Sequence, residues 1–214
     1  MRSRRYRCGL IAALMAASPA IAHAQFNTGW SEDQQAKRVA QFASMDPQRV
    51  AEQVTTEDDE LEAVATLSTE PAFKFKGSFT NRARADNFLR AFINKTTGRT
   101  TYQLYQHLIY TGERRFSFAN YETAGGPASA TLAINSGDVD CSYGICAWYR
   151  DLAFDVPEEV LRSVAARASE RPVKPWRFRF KAEQGDDWTD DIAPAEAAGL
   201  LLAVDAFRQK HRLP

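Results

Sequence analysis

An α+β fold, a twisted antiparallel β-meander sheet with two C-terminal helices packed on one face and a short N-terminal helical segment, is predicted by three features of the sequence. Apolar residues recur at every second position through the middle of the chain, short glycine turns separate those runs, and the last third reads as strand then helix, twice. Short loops join only antiparallel neighbours, because parallel pairing needs a crossover of about a dozen residues.

The chain opens with "MRSRRYRCGLIAALMAASPAIAHAQ": basic Arg2, Arg4, Arg5 and Arg7, an apolar stretch from Gly9 to Ala17, and the small-x-small site Ala22-His23-Ala24. That three-part build predicts a secretory signal peptide over residues 1–24, a mature chain from Gln25, and a periplasmic or secreted protein. The apolar stretch is shorter than the roughly 20 residues that span a bilayer, and Ser18-Pro19 interrupts it, so no transmembrane segment is expected after cleavage. An uncleaved anchor is the alternative. Cleavage takes four arginines and no acid from a chain with 27 basic and 27 acidic residues, leaving a formal charge of −4. Nucleic acid, whose binding rests on phosphate neutralisation by Lys and Arg, is not an expected partner.

Residues 25–60 read as a helical segment and an acidic linker, ahead of a single α+β domain over 61–214. Ser31 with Gln34 three positions on, then Ala36, Val39, Ala40 and Ala43 at helical spacing, predict a capped amphipathic helix. Pro47 starts a second short helical piece. "TTEDDE", 55 to 60, lacks the alternate ligands and turn glycine of a calcium loop and reads as a solvated linker. Period-two runs then follow at Leu61 to Leu67, Phe73 to Phe79, Asn87 to Lys95, Thr101 to Tyr110, Arg115 to Tyr121 and Ala130 to Asn135. Cys146 to Phe154 leads through Pro157 into a helix to about Ser169. Trp176 to Lys181 and its return to Ile192 lead into a helix from Pro194 to about Gln209, followed by a tail, "KHRLP", expected to fray.

Two cysteines survive cleavage, Cys141 and Cys146 in "DVDCSYGICAWYRD". In an exported chain an even count predicts a disulfide. If the chain reverses through Ser142-Tyr143-Gly144-Ile145, the two face each other across a hairpin at a separation a disulfide accepts. Zinc needs four ligands, which these cysteines with His107 and His211 do not bring together in sequence, and a redox pair wants two intervening residues rather than four. No metal and no cofactor is expected. The clip should fix hairpin register, with Asp140 opposite Ala147, Val139 opposite Trp148 and Asp138 opposite Tyr149. Asp138 and Asp140 then share a face with Tyr149 and Asp151, an acidic group able in principle to do acid and base work.

A second candidate is "TYQLYQHLIY", 101 to 110. Its mixed face carries Tyr105 and His107, the one histidine of the mature chain outside the tail. Arg90, flanked by Phe88 and Phe92 on the preceding strand, falls beside that face across the "TTGR" hairpin. One Arg, one Tyr and one His over aromatic neighbours are the sparse polar groups of a ligand site, so Arg90, Tyr105 and His107 are the ligand-binding candidates. In "WRFRFKAEQGDDWTDDI" the Arg177, Arg179, Lys181 strand faces Asp187, Asp190 and Asp191, an arrangement of cross-strand ion pairs.

The chain has no G-x-S-x-G elbow, phosphate-cradling glycine loop, H-E-x-x-H or S-x-x-K. We therefore expect a non-enzymatic envelope protein acting as a binding or interaction module, with no catalytic residue assigned. Its partner would be an envelope protein, a glycan or a small apolar ligand. The alternative is a small hydrolase or isomerase using His107 with Tyr105, or carboxylates near Asp138 and Asp140.

Overall fold

In the computed structural model, residues 32–70, 83–142 and 145–214 are described. The expected signal peptide, the run at 73–79 and the Tyr143-Gly144 turn tip lie outside the described residues.

The described chain begins with helix α1 (Glu32–Ser44) and helix α2 (Pro47–Gln53). Asp46 caps α2, its carboxylate accepting the Gln48 N–H at 3.3 Å, and Pro47 opens the first turn where its missing N–H costs nothing. Ten strands follow: β1 (Thr55–Glu57), β2 (Val64–Ser68), β3 (Ala83–Asn94), β4 (Thr100–Tyr110), β5 (Arg115–Thr123), β6 (Gly126–Thr131), β7 (Ile134–Ser142), β8 (Ile145–Val156), β9 (Trp176–Gln184) and β10 (Trp188–Ile192). Helix α3 (Glu158–Ala165) and a 3-10 turn (Ala166–Ser169) lie between β8 and β9, and helix α4 (Pro194–His211) ends the chain.

All strand pairings among the described residues are antiparallel, and the class is α+β as the spacing predicts. The strands divide between two sheets, one of six in the order β1-β2-β3-β4-β8-β7 and one of four in the order β10-β9-β5-β6. Burial explains the division. Trp176, Phe178 and Phe180 of β9 and Tyr121 of β5 form an aromatic face too large to leave in water, and a second layer covers it. They close around Phe154 of β8, which stacks on Tyr121 at 5.4 Å between centroids and meets Phe180 edge-on at 5.8 Å. Leu89, Ala91, Ile93, Leu104, Leu108 and Leu152 line the inner face of the large sheet, all fully buried.

Helix α4 packs against α2, α3 and the large sheet. Leu200, Leu201, Val204 and Phe207 are buried along it as the periodicity predicts. At Gly199 a Cβ would overlap the Val50 side chain and lie 2.9 Å from the Pro47 carbonyl oxygen, so α2 crosses α4 at the one residue without a side chain.

Two regions differ from their expected character. The C-terminal tail is docked rather than frayed: the Leu213 N–H donates to the Arg208 carbonyl at 2.9 Å, the His211 ring stacks on Phe207 at 4.2 Å, and Pro214 closes over Gly98. The acidic linker is tied down as well, because Asp58 pairs with Lys95 at 3.1 Å and with His211 at 3.6 Å. Charge and position in the chain, the local signals at both regions, do not reveal a partner brought in from another element. Among the described residues no helix is long and apolar enough to cross a membrane.

Candidate functional site

Antiparallel register carries side chains from four strands into rows on the outer face of the six-stranded sheet. Asp86 of β3 lies opposite His107 of β4, His107 opposite Asp151 of β8, and Asp151 opposite Ser136 of β7. The next row along the strands is Phe88, Tyr105, Ala153 and Ile134, and beyond it Arg90, Gln103 and Asp155. On the other side of His107, Ile109 faces Tyr149, which in turn faces Asp138. Inner-face neighbours of these residues are buried, Leu89, Leu104, Leu108 and Leu152 with the polar Asn87 and Gln106, so period-two alternation leaves the His107, Tyr105 and Asp151 set outside.

Asp151 is the hub. His107 Nδ1 lies 2.7 Å from its Oδ1, the Tyr105 hydroxyl also bonds it, and the Tyr149 ring sits 6.5 Å from the imidazole. Partial burial pushes the Asp151 carboxyl up, but the His107 and Tyr105 hydrogen bonds and the Arg90 charge outweigh it and hold the group below the usual range. An ionised carboxylate only accepts, so Tyr105 and His107 Nδ1 are its donors, and in the neutral ring Nε2 is left as an acceptor. Burial, reinforced by the bond to Asp151, pushes the Tyr105 phenol up and keeps it a donor.

Among the described residues Arg90 is held by rings rather than by a carboxylate. Its guanidinium lies 4.2 Å from the Tyr105 centroid, 5.6 Å from Phe88 and 5.9 Å from Phe92. Burial lowers its pKa, opposed by Tyr105, Glu70, Asp151 and Glu57, and the group remains a cation. Among the described residues its Nε and Nη2 are closed off from solvent with no hydrogen-bond partner, as is Oε1 of Gln103 on the neighbouring strand.

The three residues singled out from sequence, Arg90, Tyr105 and His107, thus stand together on one sheet face. Asp138 and Asp140 share that face beside Tyr149, exposed, with the Asp138 carboxylate accepting the Val139 N–H at 2.7 Å. Cys141 and Cys146 form the disulfide at a Cα separation of 4.0 Å, and the pairs Asp140 with Ala147, Val139 with Trp148 and Asp138 with Tyr149 follow the anticipated register. Among the described residues no group of three His, Cys, Asp or Glu is placed to hold a metal ion.

Sequence reasoning missed Asp151 as the partner of Tyr105 and His107, because β4 and β8 are neighbours only through a long-range pairing. It also missed a buried polar network. Arg38 of α1 pairs with Asp190 and donates to the Asp191 carbonyl at 2.9 Å, and Glu196 of α4 accepts from the Thr69 hydroxyl at 2.6 Å. Asp190 is therefore not a partner of the basic strand: alternation places it opposite Phe178, on the inner side, while Asp191 pairs with Arg177 at 3.1 Å and Lys181 with Asp187. Burial pushes the Glu196 carboxyl up to about 7, against the Thr69 and Leu89 hydrogen bonds that favour its charge. The helical stripe of Leu200 and Val204 runs back through Glu196, a signal that this carboxyl faces the core.

Away from this face, an open groove of about 590 Å³ is lined by small side chains such as Ala43, Ala165, Ala168 and Ala198, with Ser44, Asp46, Ser169 and Arg171 among them. Compared with protein-family models, with curated proteins and with solved structures, the chain matches none.

Proposed function

We propose that this chain is an exported, periplasmic or secreted, non-enzymatic binding module of the cell envelope, and that its ligand lies on the outer face of the six-stranded sheet. The observation that carries the reading is the convergence of Arg90, Tyr105 and His107 around Asp151, with donors and an acceptor left unpaired beside aromatic rings. A protein retains unsatisfied buried polar groups at a cost of about 1–3 kcal/mol each, so such a cluster points to function rather than to stability. The Cys141–Cys146 bond and the basic-apolar-small leader support export.

The test is a thermal-shift screen with sugars, carboxylates and apolar compounds. Binders are expected to raise the wild-type Tm, and the rise should vanish in a Tyr105→Ala/His107→Ala double variant while surviving Lys210→Ala on α4. A rise that persists in the double variant removes the site from this face.

The His107–Asp151 hydrogen bond of 2.7 Å favours a second reading, a small hydrolase or isomerase in which Asp151 orients His107 and Nε2 moves a proton. Asp138 and Asp140 would then supply further carboxylates. Turnover of chromogenic esters or amides that is lost in both His107→Ala and Asp151→Asn would establish that reading in place of the first.

A further inference from the structure

We infer that the ligand of this face is a neutral glycan chain, bound by hydroxyl groups to Arg90 and Gln103 and by the flat faces of its rings to the neighbouring aromatics. The inference rests on the outer-face reading above.

The unpaired atoms define the chemistry. Nε and Nη2 are the two guanidinium nitrogens whose N–H bonds run side by side, and both lack partners in Arg90. Gln103, directly opposite on β4, commits Nε2 to Asp155 Oδ1 at 3.2 Å. A carboxylate accepts only, so the amide orientation is fixed and Oε1 is the unpaired acceptor. Two donors and one acceptor on adjacent strands match groups that donate and accept together, as sugar hydroxyls do.

The rival classes fit less well. A carboxylate or phosphate would satisfy the donors but face Gln103 Oε1 and Asp155, and Glu70, Asp151 and Glu57 make the field around Arg90 negative. A purely apolar ligand would leave all three atoms unpaired. Phe92, Tyr105 and Tyr149 add rings on this face at levels four residues apart, those of Thr101, Tyr105 and Ile109 on β4, so the rings are spaced about 13 Å apart along the strands. Pyranose rings present apolar C–H faces to such surfaces while their hydroxyls point outward. Because the three atoms are closed off from solvent, binding lifts the Arg90 head group from Tyr105, a side-chain change of the kind common at interfaces.

Calorimetric titration with cellohexaose, maltohexaose and chitohexaose tests the inference, with tetragalacturonate as the acidic probe and octanol as the apolar one. At least one neutral oligosaccharide should saturate the wild type and lose its binding in Tyr105→Ala/His107→Ala. Arg90→Met and Gln103→Leu should each weaken binding on the order of tenfold or more, as when a site built to hydrogen-bond hydroxyls loses its partners. Unliganded Arg90→Met should melt close to wild type, the lost contact with the Tyr105 ring being offset by removal of unpaired donors; wild-type oligosaccharide affinity in Arg90→Met overturns its part in binding. If that variant does not fold, Gln103→Leu carries the comparison. Tetragalacturonate or octanol binding in place of the neutral sugars, lost in the double variant, would sink the glycan inference and leave the face standing. If no probe binds in a manner dependent on Tyr105 and His107, both fail.

Discussion

At Asp151 three chains of cause meet. Alternation sends its side chain outward, β4–β8 register sets it beside His107, and the Tyr105 hydroxyl completes its bonding. The pair with His107 is more than a third exposed on both sides, so its contribution to folding is modest. Asp151→Ala should therefore cost about 1 kcal/mol in urea denaturation while disordering the His107 ring, whereas a loss beyond about 4 kcal/mol would mean that the hub is a buried structural pair. Tyr105 and His107 were legible from sequence as members of one mixed strand face, and Arg90 as their neighbour across a tight hairpin. Asp151 was visible as a residue and not as a partner, since local spacing carries no information on which distant strand lies alongside.

Among the elements, the β7–β8 hairpin shows how a covalent bond and a register rule cooperate. The Cys141–Cys146 clip closes a short loop and should contribute roughly 2 kcal/mol, chiefly by restricting the unfolded chain. Cys141→Ser/Cys146→Ser is expected to lower stability by about that amount in denaturant melts. Thiol counting on a chain starting at Gln25, under denaturing, non-reducing conditions, should find none, and two reactive thiols would remove the clip from the account. The α2–α4 crossing makes a sharper demand. Gly199→Ala must push Val50 and the Pro47 carbonyl apart, so a loss of about 1–3 kcal/mol is expected, and a neutral result would show that the helices give way freely. Hairpins, turns and the amphipathic helices were readable because their signals are local. The docking of α1 was not: Phe42 packs against Val173 and Ala193, and no periodicity within α1 names those partners.

For the whole molecule, two sheets could not be distinguished from one meander by strand spacing, because the chain leaves β4 for β5 through a turn as short as a hairpin loop. The aromatic content of β5 and β9 is what requires the second layer. The same layering seals Glu196, and it sets a pH dependence. The carboxyl sits at about 7 when folded against an ordinary value of 4.5, so the native state binds more protons between these limits and stability falls as pH rises through that window. The loss is about 3 kcal/mol, complete above pH 7 and absent below about 4.5. Glu196→Gln should flatten this part of the stability profile, and a variant whose profile keeps the wild-type slope would contradict the burial of this charge.

The central claim is that the outer sheet face is the working surface, and the described chain, residues 32–70, 83–142 and 145–214, carries its own internal control. Its histidines are His107, on that face, and His211, stacked on Phe207 at the far end of α4. Ring-selective NMR of both, followed as the saturating oligosaccharide is added, should move the His107 signals and leave those of His211 in place. Movement of His211 alone, or of neither at saturation, would contradict the account.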